Sequence, residues 1–225
     1  MKIEAVTVCI DFASRLKHCV GNKNLFDDWI VVTHGSDSET IELCKKNKIK
    51  FICSNKIFKN AKFAKGKAIN EGLNLCKKND WLVQIDADVK LPDNFRKIAK
   101  KYCKNKLGLY GMDRFYNNKL LKTPVFRNKI KNIKTKNSIE IEIGDLGAIG
   151  YFQMWHSSFK KKYEEQSETG AQDDIDFMLS FKPKHPKQSF KENWMKLPVR
   201  CEDVSGFQGH YQKHYYGIRN ILNKK

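Results

Sequence analysis

The first half of the chain alternates short apolar runs with segments of helical spacing, the pattern of strand–helix–strand units building an α/β fold on a mainly parallel sheet. Ile3 to Phe12 reads as a first strand, Trp29 to Thr33 as a second and Lys50 to Cys53 as a third. Between the second and third, Ser36 to Lys46 opens with a capping serine and acidic residues and closes with lysines, as a helix does just after a strand. Over Phe63 to Cys76, apolar residues recur at Ala64, Ala68, Ile69, Leu73 and Cys76, close to one helical stripe. Trp81 to Ile85 is apolar except for Gln84, as a buried central strand would be. It runs directly into Asp86-Ala87-Asp88, followed by Leu91-Pro92 and a helix over about Asp93 to Tyr102.

Leu107 to Phe115 reads as a further strand, and the lysine- and asparagine-rich stretch from Lys119 to Glu140, with weak periodicity, as a strand-and-loop excursion. Glycines at 144, 147 and 150 lead into Tyr151-Phe152-Gln153-Met154-Trp155-His156. Gln172 to Phe181 is a short helix, Lys182 to Gln188 a loop holding Pro183 and Pro186, and Val199 to Lys225 a tail of strand-like and aromatic basic character. With no internal repeat and no interdomain linker, the expectation is a single domain with a central, mainly parallel sheet flanked by helices, its halves being residues 1–115 and 116–225.

Composition narrows the class. A chain of 225 residues, 40% hydrophobic and 30% charged, is long enough for one substantial core and too apolar for wholesale disorder. Seven scattered cysteines without a CxxC pair read as reduced thiols rather than a zinc site or disulfide framework. No apolar run approaches bilayer length and the N-terminus lacks a signal peptide's regions, so the expected location is the cytoplasm. The net charge of +18 calls for anionic partners: nucleotide phosphates, nucleic acid, or an anionic membrane touched peripherally. Arginines, which favour bidentate phosphate and base contacts, are confined to positions 15, 96, 114, 127, 200 and 219, so most of the lysines are read as a solvated surface.

The strongest chemical signal is Asp86 and Asp88. A bare aspartate pair is a common turn, but this one ends a buried strand, where open α/β sheets bind ligands. Two carboxylates there suit a hard divalent ion, Mn²⁺ or Mg²⁺, bridging a diphosphate.

Trp29-Ile30-Val31-Val32-Thr33, Asp37 and Thr40, then Lys65-Gly66-Lys67-Ala68-Ile69-Asn70-Glu71-Gly72-Leu73, and Trp81 to Asp88 with Pro92, resemble in their order the nucleotide-binding half of inverting GT-A glycosyltransferases of the family-2 kind. Gln172-Asp173-Asp174-Ile175-Asp176-Phe177 is similar to that family's acidic catalytic motif. The resemblance implies a Rossmann-like GT-A domain that transfers a sugar, with inversion, from a nucleotide-diphosphate donor, UDP-linked by expectation, to a hydroxyl of a glycan or glycoconjugate. Phe12, Thr33, Asp37, Gly66, Lys67, Asn70, Asp86 and Ala87 would line the donor; many relatives carry two aspartates where Thr33-His34 stand here. Asp86, Asp88 and His210 would hold the metal, Asp174 or its neighbour Asp173 would be the general base, and Tyr151, Gln153 and Trp155 would shape the acceptor pocket.

Two other readings compete. A sugar-phosphate nucleotidyltransferase would also use a metal and carboxylates, but it calls for an N-terminal glycine-rich loop where this chain has Asp11-Phe12-Ala13-Ser14-Arg15. A basic nucleic-acid-binding module would use the lysines and Tyr211, Tyr215 and Tyr216, and would leave Asp86, Asp88, Asp173 and Asp174 without a role.

Overall fold

The computed structural model describes residues 1–58, 63–78, 80–120, 127–131, 138–142, 150–163, 170–181 and 194–204. In chain order the elements are β1 (Ile3–Val8), α1 (Ala13–Cys19), a 3-10 helix (Val20–Leu25), β2 (Asp28–Thr33), α2 (Ser38–Lys46), β3 (Lys50–Cys53), α3 (Lys65–Leu75) and β4 (Trp81–Ile85). There follow β5 (Val89–Lys90), α4 (Phe95–Tyr102), β6 (Leu109–Tyr116), β7 (Lys119–Leu120), β8 (Arg127–Lys131), β9 (Ser138–Glu142), β10 (Phe152–His156), α5 (Gly170–Leu179) and β11 (Trp194–Asp203).

Nine strands form one sheet in the order β3-β2-β1-β4-β10-β6-β11-β5, with β7 on β6, and β8 pairs separately with β9. The first four strands are mutually parallel. Strand β10 runs antiparallel to β4 and to β6, and β11 lies parallel to β6 and antiparallel to β5. The mainly parallel sheet expected from the first half is therefore joined to a mixed second half.

Burial on both faces explains why β4 reads as a continuous apolar run. Trp81, Val83 and Ile85 join a core with Leu16, Cys44, Phe95 and Ala99 from α1, α2 and α4. Leu82 joins the opposite core with Ile69 and Leu73 of α3 and Phe177 and Met178 of α5. Helices thus cover the sheet on both sides.

Strands β3 and β4 begin and end where the sequence pattern sets them, and β2 begins one residue earlier. Strand β1 stops at Val8, four residues short of the expected Phe12, because Asp11 turns the chain at φ 53° and the Phe12 carbonyl accepts from the amides of Arg15 and Leu16, starting α1. The buried triplet Ala13, Leu16 and Cys19 is the signal for that unanticipated helix. Strand β11 starts five residues before the expected Val199, and a register shift between Lys196 and Arg200 accommodates Pro198. The tail from residue 205 lies outside the described residues. Among those that are described, no helix is long and apolar enough to cross a membrane.

Helix α3 approaches the sheet through Gly72. A Cβ there would lie 2.5 Å from Val6 Cγ1 and 3.0 Å from Val32 Cγ2, so the helix would have to move away from β1 and β2. Gly72→Ala is expected to destabilise the fold by about 1–3 kcal/mol through this overpacking. Urea unfolding measures it; an unchanged midpoint would show that α3 does not sit this close to the sheet.

Candidate active site

The strand order reverses direction at β1, which has β2 on one side and β4 on the other. Such a switch point opens a crevice at the carboxyl ends of the strands. Asp86 lies at that edge, directly after β4, and its amide donates to the Tyr151 carbonyl at 2.9 Å. Because β10 is antiparallel to β4, its start lies at the same edge and brings Gly150 there. Strands β6 and β11 point the same way and deliver Arg114 and Asp203.

Lys65, on the first turn of α3, is the centre of one cluster. Its ammonium lies 2.9 Å from Asp174 Oδ2 and 3.0 Å from Asp86 Oδ1, and donates to the Gly150 carbonyl at 3.3 Å. Burial works against its charge, and Asp174 and Asp86 more than offset this, so its pKa is raised. Burial pushes the Asp174 carboxyl up to about 7, against the pull of Lys65. Asp174 Oδ1 is buried and, among the described residues, has no hydrogen-bond partner. Gly150 is required beside it: its φ is +60°, and a Cβ would stand 2.9 Å from Asp174 Oδ2. The adjacent Asp173 is engaged otherwise, its Oδ2 accepting from the Gly66 amide at 2.7 Å.

Arg114 is the centre of the second cluster. Its guanidinium donates to Asp203 through Nε and Nη2, and Nη2 lies 3.5 Å from Asp88 Oδ2. Burial opposes this charge, and Asp88, Asp203 and Asp86 together outweigh it, so the pKa rises. The Asp86–Asp88 turn is also held from behind: buried Asn22 donates to the Val89 carbonyl and accepts from the Leu91 amide, at 2.8 and 2.9 Å.

The structure places the other expected site residues as follows. Asp88 is 1% exposed and paired with Arg114, so it does not offer a cation its first contact. Thr33 and Asp37 are buried, and Asp37 caps α2: its oxygens accept from the Asp11 amide, the Thr33 hydroxyl and the Thr40 amide. The pair fixes the loop after β2 rather than facing a base. Asn70 is buried and holds Tyr163 through both backbone groups, at 2.9 and 3.0 Å. The Gly66 amide is taken up by Asp173, so it is not directed at a phosphate. Tyr151, Gln153 and Trp155 do not line an open pocket. Trp155 is 0% exposed against Phe177 and Tyr163, the Tyr151 hydroxyl donates to the Met112 carbonyl, and Gln153 Nε2 donates to the Asp174 carbonyl. Ala87 is buried in the turn, and Phe12 is partly buried against the core. Lys67 is half-buried on the first turn of α3, and His210 lies outside the described residues. Lys65, Arg114 and Asp203 are the charged residues that sequence reasoning missed.

The fit to a divalent ion rests on Asp86. Its side chain is 27% exposed, Gln84 Nε2 and Lys65 both engage Oδ1, and among the described residues none engages Oδ2. Among the described residues, no group of three or more histidine, cysteine, aspartate or glutamate side chains is positioned to hold a metal. One accessible carboxylate oxygen suits an ion that draws its remaining ligands from a bound diphosphate and water.

The fold and this edge define an α/β protein with an acidic centre at the carboxyl ends of its parallel strands. The sequence matches Glycosyl transferase family 2 over residues 9–163, more than half of the chain, and the chain belongs to that family. No curated protein sequence matches it. Similar solved structures include S. aureus TarS, residues 1–349, with a TM-score of 0.60 at 12% identity over 99% of this chain and 64% of that one. Glucosyl-3-phosphoglycerate synthase from Mycobacterium tuberculosis, in complex with Mn²⁺, UDP and glucosyl-3-phosphoglycerate, gives 0.62 at 12% identity, covering 99% and 79%. The chain thus spans less than two thirds of the TarS fragment. These likenesses establish the GT-A type of fold.

Removing Arg114 would take its positive charge away from buried Asp203 and Asp88. Arg114→Met is expected to cost about 3–5 kcal/mol of stability near neutral pH, as for other broken buried pairs. Chemical denaturation reads this loss, and a cost near zero would mean that the pair is hydrated.

Proposed function

We propose that this chain transfers a sugar, with inversion, from a nucleotide-diphosphate donor, UDP-linked, to a hydroxyl of a glycan or glycoconjugate. The observation that carries the reading is Asp174: a buried carboxylate with one oxygen anchored and one unpartnered, joined through Lys65 to Asp86 at the crevice. In the reaction, Asp174 Oδ1 takes the proton from the acceptor hydroxyl as that oxygen bonds to the anomeric carbon. The bond from that carbon to the diphosphate breaks on the opposite face, and its electron pair leaves with the diphosphate. Asp86 would hold a divalent ion, Mn²⁺ or Mg²⁺, which when bound neutralises the leaving diphosphate.

Lys67 supports the reading as a cation near the donor, on the turn that carries Lys65. His210 is proposed as a further metal ligand. The Val204 amide donates to the Asp88 carbonyl at 2.9 Å, so the chain leaves the described region at the aspartate turn.

Calorimetric titration of UDP and GDP with and without Mn²⁺, on the wild type and on Asp86→Ala, tests the donor site. Micromolar UDP binding that needs both Mn²⁺ and Asp86 is the expected result. Equal binding by Asp86→Ala, or tight binding of single-stranded nucleic acid alone, would remove the reading.

A neutral carboxyl cannot accept a proton, and the Asp174 carboxyl titrates at about 7. Turnover is therefore expected to fall as the pH drops below about 7 and to level off above it. Asp174→Asn should lower turnover by about 10²–10⁴-fold and abolish that limb of the profile. Retention of the limb in the variant would assign the base elsewhere.

A further inference from the structure

We propose that Lys65 is a positioning residue that seats the catalytic carboxylate of Asp174 and fixes it relative to Asp86. This rests on the glycosyl-transfer reading and adds to it a residue whose contribution is geometry rather than contact with substrate. The ammonium has three N–H groups, and the structure gives each an acceptor: Asp174 Oδ2, Asp86 Oδ1 and the Gly150 carbonyl. None is left over for a donor phosphate while this arrangement holds. Lys65 is thereby distinguished from Lys67, two positions along α3, which points to a different side of the helix.

The seat acts on one oxygen only. Lys65 holds Oδ2, and the wall of the seat is Gly150, where a Cβ would come within 2.9 Å of that same oxygen. Oδ1 is left buried without a hydrogen-bond partner, a costly state for a carboxylate unless another molecule completes it. The acceptor hydroxyl is the group that would complete it. The second anchor, Asp86, lies on the donor side of the crevice, so one ammonium sets the distance between the base and the carboxylate that faces the diphosphate. These two aspartates are far apart in the chain, and Lys65 is the cation that contacts both among the described residues.

The test separates seating from donor binding. Lys65→Met keeps the apolar stem and removes the charge and all three donors; Lys65→Arg restores a cation. UDP affinity in the presence of Mn²⁺ is read by calorimetry, and turnover by release of UDP from a UDP-sugar that the wild type cleaves. Lys65→Met is expected to bind UDP within about threefold of the wild type while kcat falls about 10²-fold, the scale of a roughly 1 Å misplacement, with partial recovery in Lys65→Arg. Unchanged kcat, or a loss of UDP affinity as large as the loss of turnover, overturns the proposal. A wild type that neither binds UDP nor cleaves any UDP-sugar instead defeats the glycosyl-transfer reading itself. In that event urea unfolding of Lys65→Met, Asp174→Asn and the double variant still decides the seat: non-additive effects support it, and additive effects overturn it.

Discussion

The carboxyl edge of the sheet depends on compensation of buried negative charge. Asp88, Asp173, Asp174 and Asp203 are each at most 4% exposed, and a carboxylate left alone in such a place costs several kcal/mol. Parallel strands bring the backbone ends together, but their side chains would repel one another without internal partners. Lys65 takes Asp174 and Asp86, Arg114 takes Asp203 and Asp88, and the Gly66 amide takes Asp173. The first set joins α3 to β4 and α5, and the second joins β6 to β11 and the aspartate turn. Electrostatic pairing therefore completes what sheet topology begins.

This interior contrasts with the surface. The chain carries a net charge of +18, yet the edge gathers Asp86, Asp88, Asp173, Asp174 and Asp203, with Lys65 and Arg114 as cations among them. Lys97, Lys100 and Lys101, by comparison, lie exposed on α4. A polyanion docking at the crevice would meet this group of carboxylates, whereas a diphosphate accompanied by a divalent cation suits it. The nucleic-acid reading drew its support from the exterior lysines and gives the acidic interior no function.

What was legible in the sequence follows from how many residues each signal needs. Strand β4 and helix α3 are written in consecutive or periodic positions, because one is covered on both faces and the other packs one stripe against the sheet. Helix α1 has only three buried positions, too few to mark it in a stretch to which no element was assigned. Lys65 and Arg114 gain their meaning from partners remote in the chain, so local pattern does not disclose them. A lone arginine within the apolar run of β6, and a lysine directly before Gly66, were the available signals. Trp155 shows the opposite limit: an aromatic cluster is compatible with a sugar platform and with a core, and only its complete burial against Phe177 and Tyr163 decides for the core.

Helix α3 unites these observations. From Asn70, hydrogen bonds pass to the backbone of Tyr163, from the Tyr163 hydroxyl to Gln153 Oε1 at 2.5 Å, and from Gln153 Nε2 to the Asp174 carbonyl at 3.0 Å. From the Asp174 carboxylate the path returns to α3 through Lys65. The ring begins and ends on one helix, five residues apart, and holds the backbone and the side chain of Asp174 by separate routes. Asp173, its neighbour, is bonded to that helix as well through Gly66. Adjacent helical residues project about 100° apart and cannot face the same way, so two consecutive aspartates divide the work: one docks α5 onto α3, and the other is left with an oxygen to offer. Gln153, which resembles an acceptor contact in sequence, thus holds the backbone of Asp174, and the close approach at Gly72 sets where α3, the frame of the whole ring, lies on the sheet.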